Sequence, residues 1–112
     1  MTKPWKVILT DSALADLDGI LDTTHEEYGT VQLKRYSRQI TDAIQELEES
    51  GTHSPLFKHR PDIGPGISTY PLSRKGKGSP HQFYLRIEKH EKEPAIIILR
   101  ILHERMDPKA HL

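Results

Sequence analysis

Apolar residues recur along this chain with two different periods, and the change between them divides it. Trp5, Val7 and Leu9 share one face of a short strand predicted over 5–10. From Leu14 the spacing widens to three and four. Leu14, Leu17, Leu21, Thr24 and Tyr28, with Ile20 beside them, form the stripe of an amphipathic helix. Thr10, Asp11 and Ser12 offer side chains to cap its start, and Asp16 and Asp18 suit its positive end. Gly29 is expected to end this helix, and Thr30 can cap the next one at once. Leu33, Tyr36, Ile40, Ala43, Ile44 and Leu47 then carry a second stripe to about Ser50-Gly51. So short a joint forces an antiparallel helix hairpin, with Tyr28, Tyr36 and Trp5 expected in the core.

Residues 51–66 hold Gly51, Pro55, Pro61, Gly64, Pro65 and Gly66 and are predicted as loop. After them the period falls to two. Ile67–Arg74 is predicted as a strand that Pro71 restricts to an edge or a bulge. Arg74–Pro80 is a basic, glycine-rich turn. His81–Lys89 alternates Phe83, Leu85 and Ile87 inward with Gln82, Tyr84, Arg86 and Glu88 outward. Glu91-Lys92-Glu93-Pro94 turns the chain into a last strand, Ala95–Glu104, apolar on both faces and hence central in the sheet. The expected fold is α+β, in the order β-α-α-β-β-β: a helix hairpin packed on a small, mainly antiparallel sheet.

At 112 residues the chain is expected to form a single domain over 1–112. No cysteine is present, which excludes disulfides, thiol catalysis and sulfur-ligated zinc. No apolar run reaches the ~18 residues of a membrane span, and the N-terminus is too polar for a secretory signal. The expected location is cytoplasmic, without membrane association. Net charge is zero but unevenly spread: residues 1–50 carry five Lys/Arg against ten Asp/Glu, and residues 51–112 carry eleven against six. A basic C-terminal half would favour an anionic partner, although both halves also suit ordinary solvated surfaces.

The seven histidines are scattered, with no ligand spacing for a metal, and no cofactor motif occurs. Lys75-Gly76-Lys77-Gly78-Ser79 lacks the phosphate-loop pattern and the helix that should follow it. One cluster remains. Arg86 and Arg100 lie on the more polar faces of the last two strands, Arg74 ends the strand before them, and His103 and Arg105 follow at the rim. Together these five can form a concave cationic face, with arginine forks for phosphates and His103 as an acid or base near neutral pH. Each also has a structural alternative: Arg100 can pair with a carboxylate such as Glu88, and His103 can fix the tail through backbone bonds. Tyr84, on the same face, can stack on a base or cover its neighbours.

Several segments, in order, resemble the RelE/ParE superfamily of bacterial toxins. These are Thr10–Gly29 with its Tyr28-Gly29 joint, Pro61–Gly66 leading into Tyr70-Pro71-Leu72, Phe83-Tyr84-Leu85-Arg86-Ile87, and Ile98–His103 followed by Arg105-Met106-Asp107. The resemblance covers essentially the whole chain, and the Leu-His-x-Arg-Met-Asp ending is similar to the ParE branch. It implies the toxin of a type II toxin–antitoxin system, which binds and inhibits DNA gyrase and serves plasmid stabilisation. The implied partner is a ParD-like antitoxin, in a hetero-oligomer, laying apolar side chains into the hairpin groove, with Leu14, Leu21, Leu33, Tyr36 and Ile40 as candidate contacts. Target contacts would come from Arg74, Tyr84, Arg86, Arg100, His103 and Arg105. The RelE branch implies an alternative, ribosome-dependent cleavage of mRNA, with His103, Arg86 and Arg100 as the catalytic set. A non-toxic family member, kept as antitoxin partner, is the third. The long Arg74–Pro80 turn and the zero net charge depart from the pattern; the second weakens the ribosome alternative, since RNA binding needs a basic surface.

Overall fold

The computed structural model describes residues 4–112. Strand β1 (Lys6–Leu9) leads into helix α1 (Asp11–Ser50), a 3₁₀ turn (Gly51–His53) and strands β2 (Lys58–His59), β3 (Ser68–Pro71), β4 (His81–His90) and β5 (Glu93–His103); a short helix α2 (Pro108–His111) ends the chain. The sheet order is β1-β5-β4-β3-β2, parallel only between β1 and β5.

Helix α1 bends back on itself at Gly29, whose φ of 85° and ψ of −175° lie outside the helical region and suit a residue without Cβ. A straight 40-residue helix would run about 60 Å, longer than the 42 Å maximum extent of the molecule. The two arms are antiparallel: Thr10 N–H and Oγ1–H bond β5 at one end of β1, and at the other end Trp5 N–H donates to Glu48 O at 3.0 Å. The expected hairpin is therefore present. Of the three possible caps, Thr10 takes the position, its Oγ1 accepting from Ala13 N–H.

Both arms cover one face of the sheet. Ala13, Tyr36, Ile40, Ala43 and Leu47 pack on Tyr70, Leu72, Phe83, Leu85, Ile96, Ile98 and Ile101. Trp5 packs against this core, as expected. Tyr28 and Leu14 do not: they are 69% and 46% exposed.

The last strand is central, between β1 and β4, as its two apolar faces imply. A bulge interrupts it. Leu85 pairs with Ile98 but Tyr84 with Arg100, so Leu99 is an extra residue and the helix-facing set passes from Ile96 and Ile98 to Ile101. The other face is not open. Ile67, Tyr84 and Leu102 form a second cluster there, joined by Ile63 and Leu99. Two further differences arise in the loop and the third strand. Residues 51–66 include β2, which pairs with Ser68 and Thr69. Strand β3 ends at Pro71, beyond the reach of β2, so the missing proline N–H faces no neighbour.

Gly51 joins the hairpin to the rest of the chain at φ 51°, ψ −128°, a conformation that strongly favours glycine. A Cβ there would also overlap the Trp5 indole. Gly51→Ala is expected to lower stability by about 2 kcal/mol or more in urea denaturation, whereas Gly76→Ala, with nothing within 4 Å of its Cβ position, is expected to cost less.

Candidate functional site

The five cationic residues proposed for one face are distributed over several. Arg74 turns to the helix side, where its guanidinium pairs with Glu46 of α1, lies over the Tyr70 ring at 5.2 Å, and bonds Pro71 O and Ser73 O. Burial raises the Glu46 carboxyl, but hydrogen bonds from Arg74 and Tyr70 outweigh it and hold the group below its ordinary range. Arg86 lies on the opposite face, 3.4 Å from Glu88. Arg105 is exposed beyond the strand end.

Arg100 has a structural role, with Asp16 rather than Glu88 as its partner. Its Nε and Nη2 donate to the two Asp16 carboxylate oxygens at 2.7 and 2.8 Å, and Nη1 donates to His111 O at 2.9 Å. Asp16 also accepts the Ile101 N–H at 2.9 Å. Burial pushes this carboxyl up, yet Arg100 and the backbone N–H hold it below its ordinary value, so it is ionised at neutral pH. Tyr84, open to stacking or to covering its neighbours, is 3% exposed and accepts a bond from Gln82 Nε2, which leaves no face for stacking.

What the fold does bring together is a groove of about 640 Å³ between the first arm of α1 and the ends of β4 and β5. Ile20, Tyr28, Ile101, Leu102 and Met106 give it an apolar lining. At one end the Tyr36 hydroxyl stands 2.6 Å from both Ser79 Oγ and His81 Nδ1. His81 in turn meets His103 edge-on, ring centroids 5.3 Å apart. His103 Nδ1 accepts the Arg105 N–H, leaving its Nε2 to carry the proton in the neutral ring. Gln39 Nε2 holds the base of the Arg74–Pro80 turn through Leu72 O and Lys77 O.

Of the residues expected to meet an antitoxin, Tyr36 lines the groove, but Ile40 is 3% exposed in the core. Leu21 is half-buried against that core, Leu33 is half-buried, and Leu14 is exposed. Sequence reasoning passed over Ser79, His81 and Met106. His81 was the first residue of a predicted strand, and its register with His103 is the signal that links them: β4 and β5 pair these two residues directly.

His81 is held below its ordinary pKa of 6.5, first by burial and then by the neighbouring His103, with Glu104 opposing. The unfolded chain therefore takes up this proton at higher pH than the folded one. Stability from this residue is present above the unfolded value of 6.5 and lost as pH falls through it. His81→Asn keeps an acceptor for the Tyr36 hydroxyl and removes the titration. Its melting temperature is expected to fall less than that of the native chain between pH 7.5 and 5.5; equal falls would contradict this assignment.

Residues 7–108 match the sequence family described as the ParE toxin of the type II toxin-antitoxin system, parDE. Toxin ParE of Escherichia coli is 34% identical over 100 residues, covering 89% of this chain and 85% of that protein. Toxin ParE1 of Mycobacterium tuberculosis H37Rv is 27% identical, covering 96% and 97%. A solved structure titled "Chromosomal ParDE TA system from P. aeruginosa" has the same fold, with a TM-score of 0.69 at 24% identity over 91% of this chain and 98% of that one. The family match spans nearly the whole sequence, and the chain belongs to the ParE toxins of type II toxin–antitoxin systems.

Proposed function

We propose that this ParE-type toxin acts in the cytoplasm by binding DNA gyrase, and that a ParD-like antitoxin neutralises it by docking in the groove beside Tyr28 and Met106. The observation that carries binding over hydrolysis is the state of the arginines. An RNA-cleaving reading needs His103, Arg86 and Arg100 around one phosphate. Arg100 is already committed to Asp16 and His111 O. Arg86 points from the other face, five residues along β4 from the His103 partner His81, about 17 Å away at strand rise. A reaction that stabilises a developing phosphorane needs preorganised cations at the reacting atoms, and this set offers none in common.

The ParE-like ending, Arg105–Leu112, projects from the rim as an exposed turn and the helix α2. Its backbone bonds are divided: Arg105 and Met106 donate to His103 and the His111 carbonyl accepts from Arg100, while Ala110 N–H bonds Asp107 O and Leu112 N–H bonds Pro108 O. Such a segment suits a target contact more than a structural strap.

Purified protein added to gyrase supercoiling reactions is expected to block supercoiling or trap cleaved DNA, and to leave mRNA on translating ribosomes intact. Deletion of Arg105–Leu112 is expected to abolish the gyrase effect while a cooperative thermal transition is retained. Cleavage of mRNA in the ribosomal A site, with gyrase unaffected, would overturn this reading.

A further inference from the structure

We infer that the flank formed by the Arg74–Pro80 turn and the adjacent second arm of α1 binds the phosphate backbone of duplex DNA. The inference rests on the gyrase reading above and adds the DNA held by gyrase as a second partner.

The turn has a defined shape. Arg74 and Lys77 exchange N–H···O bonds of 2.8 Å in both directions, which closes a two-residue turn on Lys75 and Gly76, with Gly76 at φ 78°. The second arm of α1 fixes where this turn lies. Gln39 Nε2 donates to Leu72 O and Lys77 O, and the Tyr36 hydroxyl stands 2.6 Å from Ser79 Oγ. Arg35, one helical turn before Gln39, and Arg38, next to it, are both exposed on that arm.

Lys75 and Lys77 are exposed as well. Among the described residues, none of these four cations forms an ion pair or a side-chain hydrogen bond. Arg74 and Arg100 differ, being neutralised by Glu46 and Asp16. Asp42 follows Arg38 by one helical turn and Glu104 N–H bonds Pro80 O, so two carboxylates border the flank and leave it cationic. The main chain adds donors. The N–H groups of Gly76 and Gly78 are on exposed residues and meet no acceptor among the described residues. Lysine, arginine and free backbone N–H are the groups that hold phosphate.

The class of partner follows from where these groups stand. None of the four cations lines the apolar groove. They occupy an exposed turn and a helix flank, which suits the repeated phosphates of a polymer better than one small phosphate ester. Tyr36, between Arg35 and Arg38 in sequence, is 9% exposed and offers no platform for stacking an unpaired base. The backbone of a duplex therefore fits better than a single strand, and such contacts do not read sequence.

The test combines binding of the full-length toxin to a short DNA duplex with gyrase supercoiling reactions. Four phosphate contacts predict a slope of about −3 to −4 for log K against log salt concentration. The double variant Lys75→Gln/Lys77→Gln is expected to reduce that slope by about 2, weaken duplex binding at least tenfold and weaken gyrase inhibition, with an unchanged melting temperature. Arg35→Gln/Arg38→Gln should do the same. Lys89→Gln/Lys92→Gln removes equal charge near the other end of β4, about 30 Å away, and should change duplex binding less than twofold. Equal weakening by this last pair, tighter binding to single-stranded RNA, or loss of binding to a ParD-like antitoxin with duplex binding intact would each overturn the assignment. If native toxin and all variants inhibit gyrase alike and none binds duplex, the DNA surface is wrong and the gyrase reading stands. If the toxin binds duplex through these residues but leaves gyrase active, the gyrase reading falls and the DNA surface stands.

Discussion

The contact on which this architecture turns is the one between Asp16 and Arg100. Strand β1 is four residues long and the neighbouring β5 eleven, so the edge of β5 would lie unpaired beyond Leu9. The start of α1 takes the place of the missing strand. Thr10 donates from N–H to Ile98 O and from Oγ1 to Leu99 O, and further along the helix the Asp16 carboxylate accepts the Ile101 N–H. Backbone polar groups withdrawn from water need such partners. A carboxylate so placed needs a counter-charge, because side-chain exposure there is only 14% for Asp16 and 24% for Arg100. The bulge at Leu99 gives Arg100 its position opposite Tyr84, from which it reaches around the sheet edge to α1.

That one pairing has functional consequences. It fixes the angle of the first arm and thereby one wall of the groove, which Asp16 itself lines. It neutralises a cation that would otherwise seem suited to phosphate. It also ties the C-terminal helix to the core at the His111 carbonyl, so the end of the chain is tethered yet exposed. With Arg74 held by Glu46 in the same manner, the protein presents a partly apolar groove and an exposed tail.

Periodicity made much of the fold legible. The stripes of α1, the Gly29-Thr30 joint and the alternation in β4 are local patterns, and the doubly apolar run Ile96–Leu99 implied a central strand. What lay beyond reach was tertiary. Asp16 and Arg100 are 84 residues apart, and no local signal chooses Asp16 over Glu88. Tyr84 reads as surface in an alternating strand, but it clusters with Ile67 and Leu102, joined by Ile63 from an aperiodic loop. The two residues of β2 are too few to show a period. The stripe ending at Tyr28 lies on one helix face, but its last residue borders the groove instead of entering the core. The ending of the chain is the most informative part of the sequence, since Leu102–Asp107 carries the resemblance to the ParE branch, while the arginines near it, open to a shared face or to structural pairing, lie on different faces.

The central role of the Asp16–Arg100 pair is tested most directly by a double-mutant cycle of Asp16→Ala and Arg100→Ala, with stability measured by urea denaturation at pH 7. A coupling energy of about 1–3 kcal/mol is expected for a partly buried, doubly hydrogen-bonded ion pair. Additivity of the two single losses within about 0.5 kcal/mol would contradict it, and would reduce the contact to a surface pairing on which neither the groove nor the tail depends.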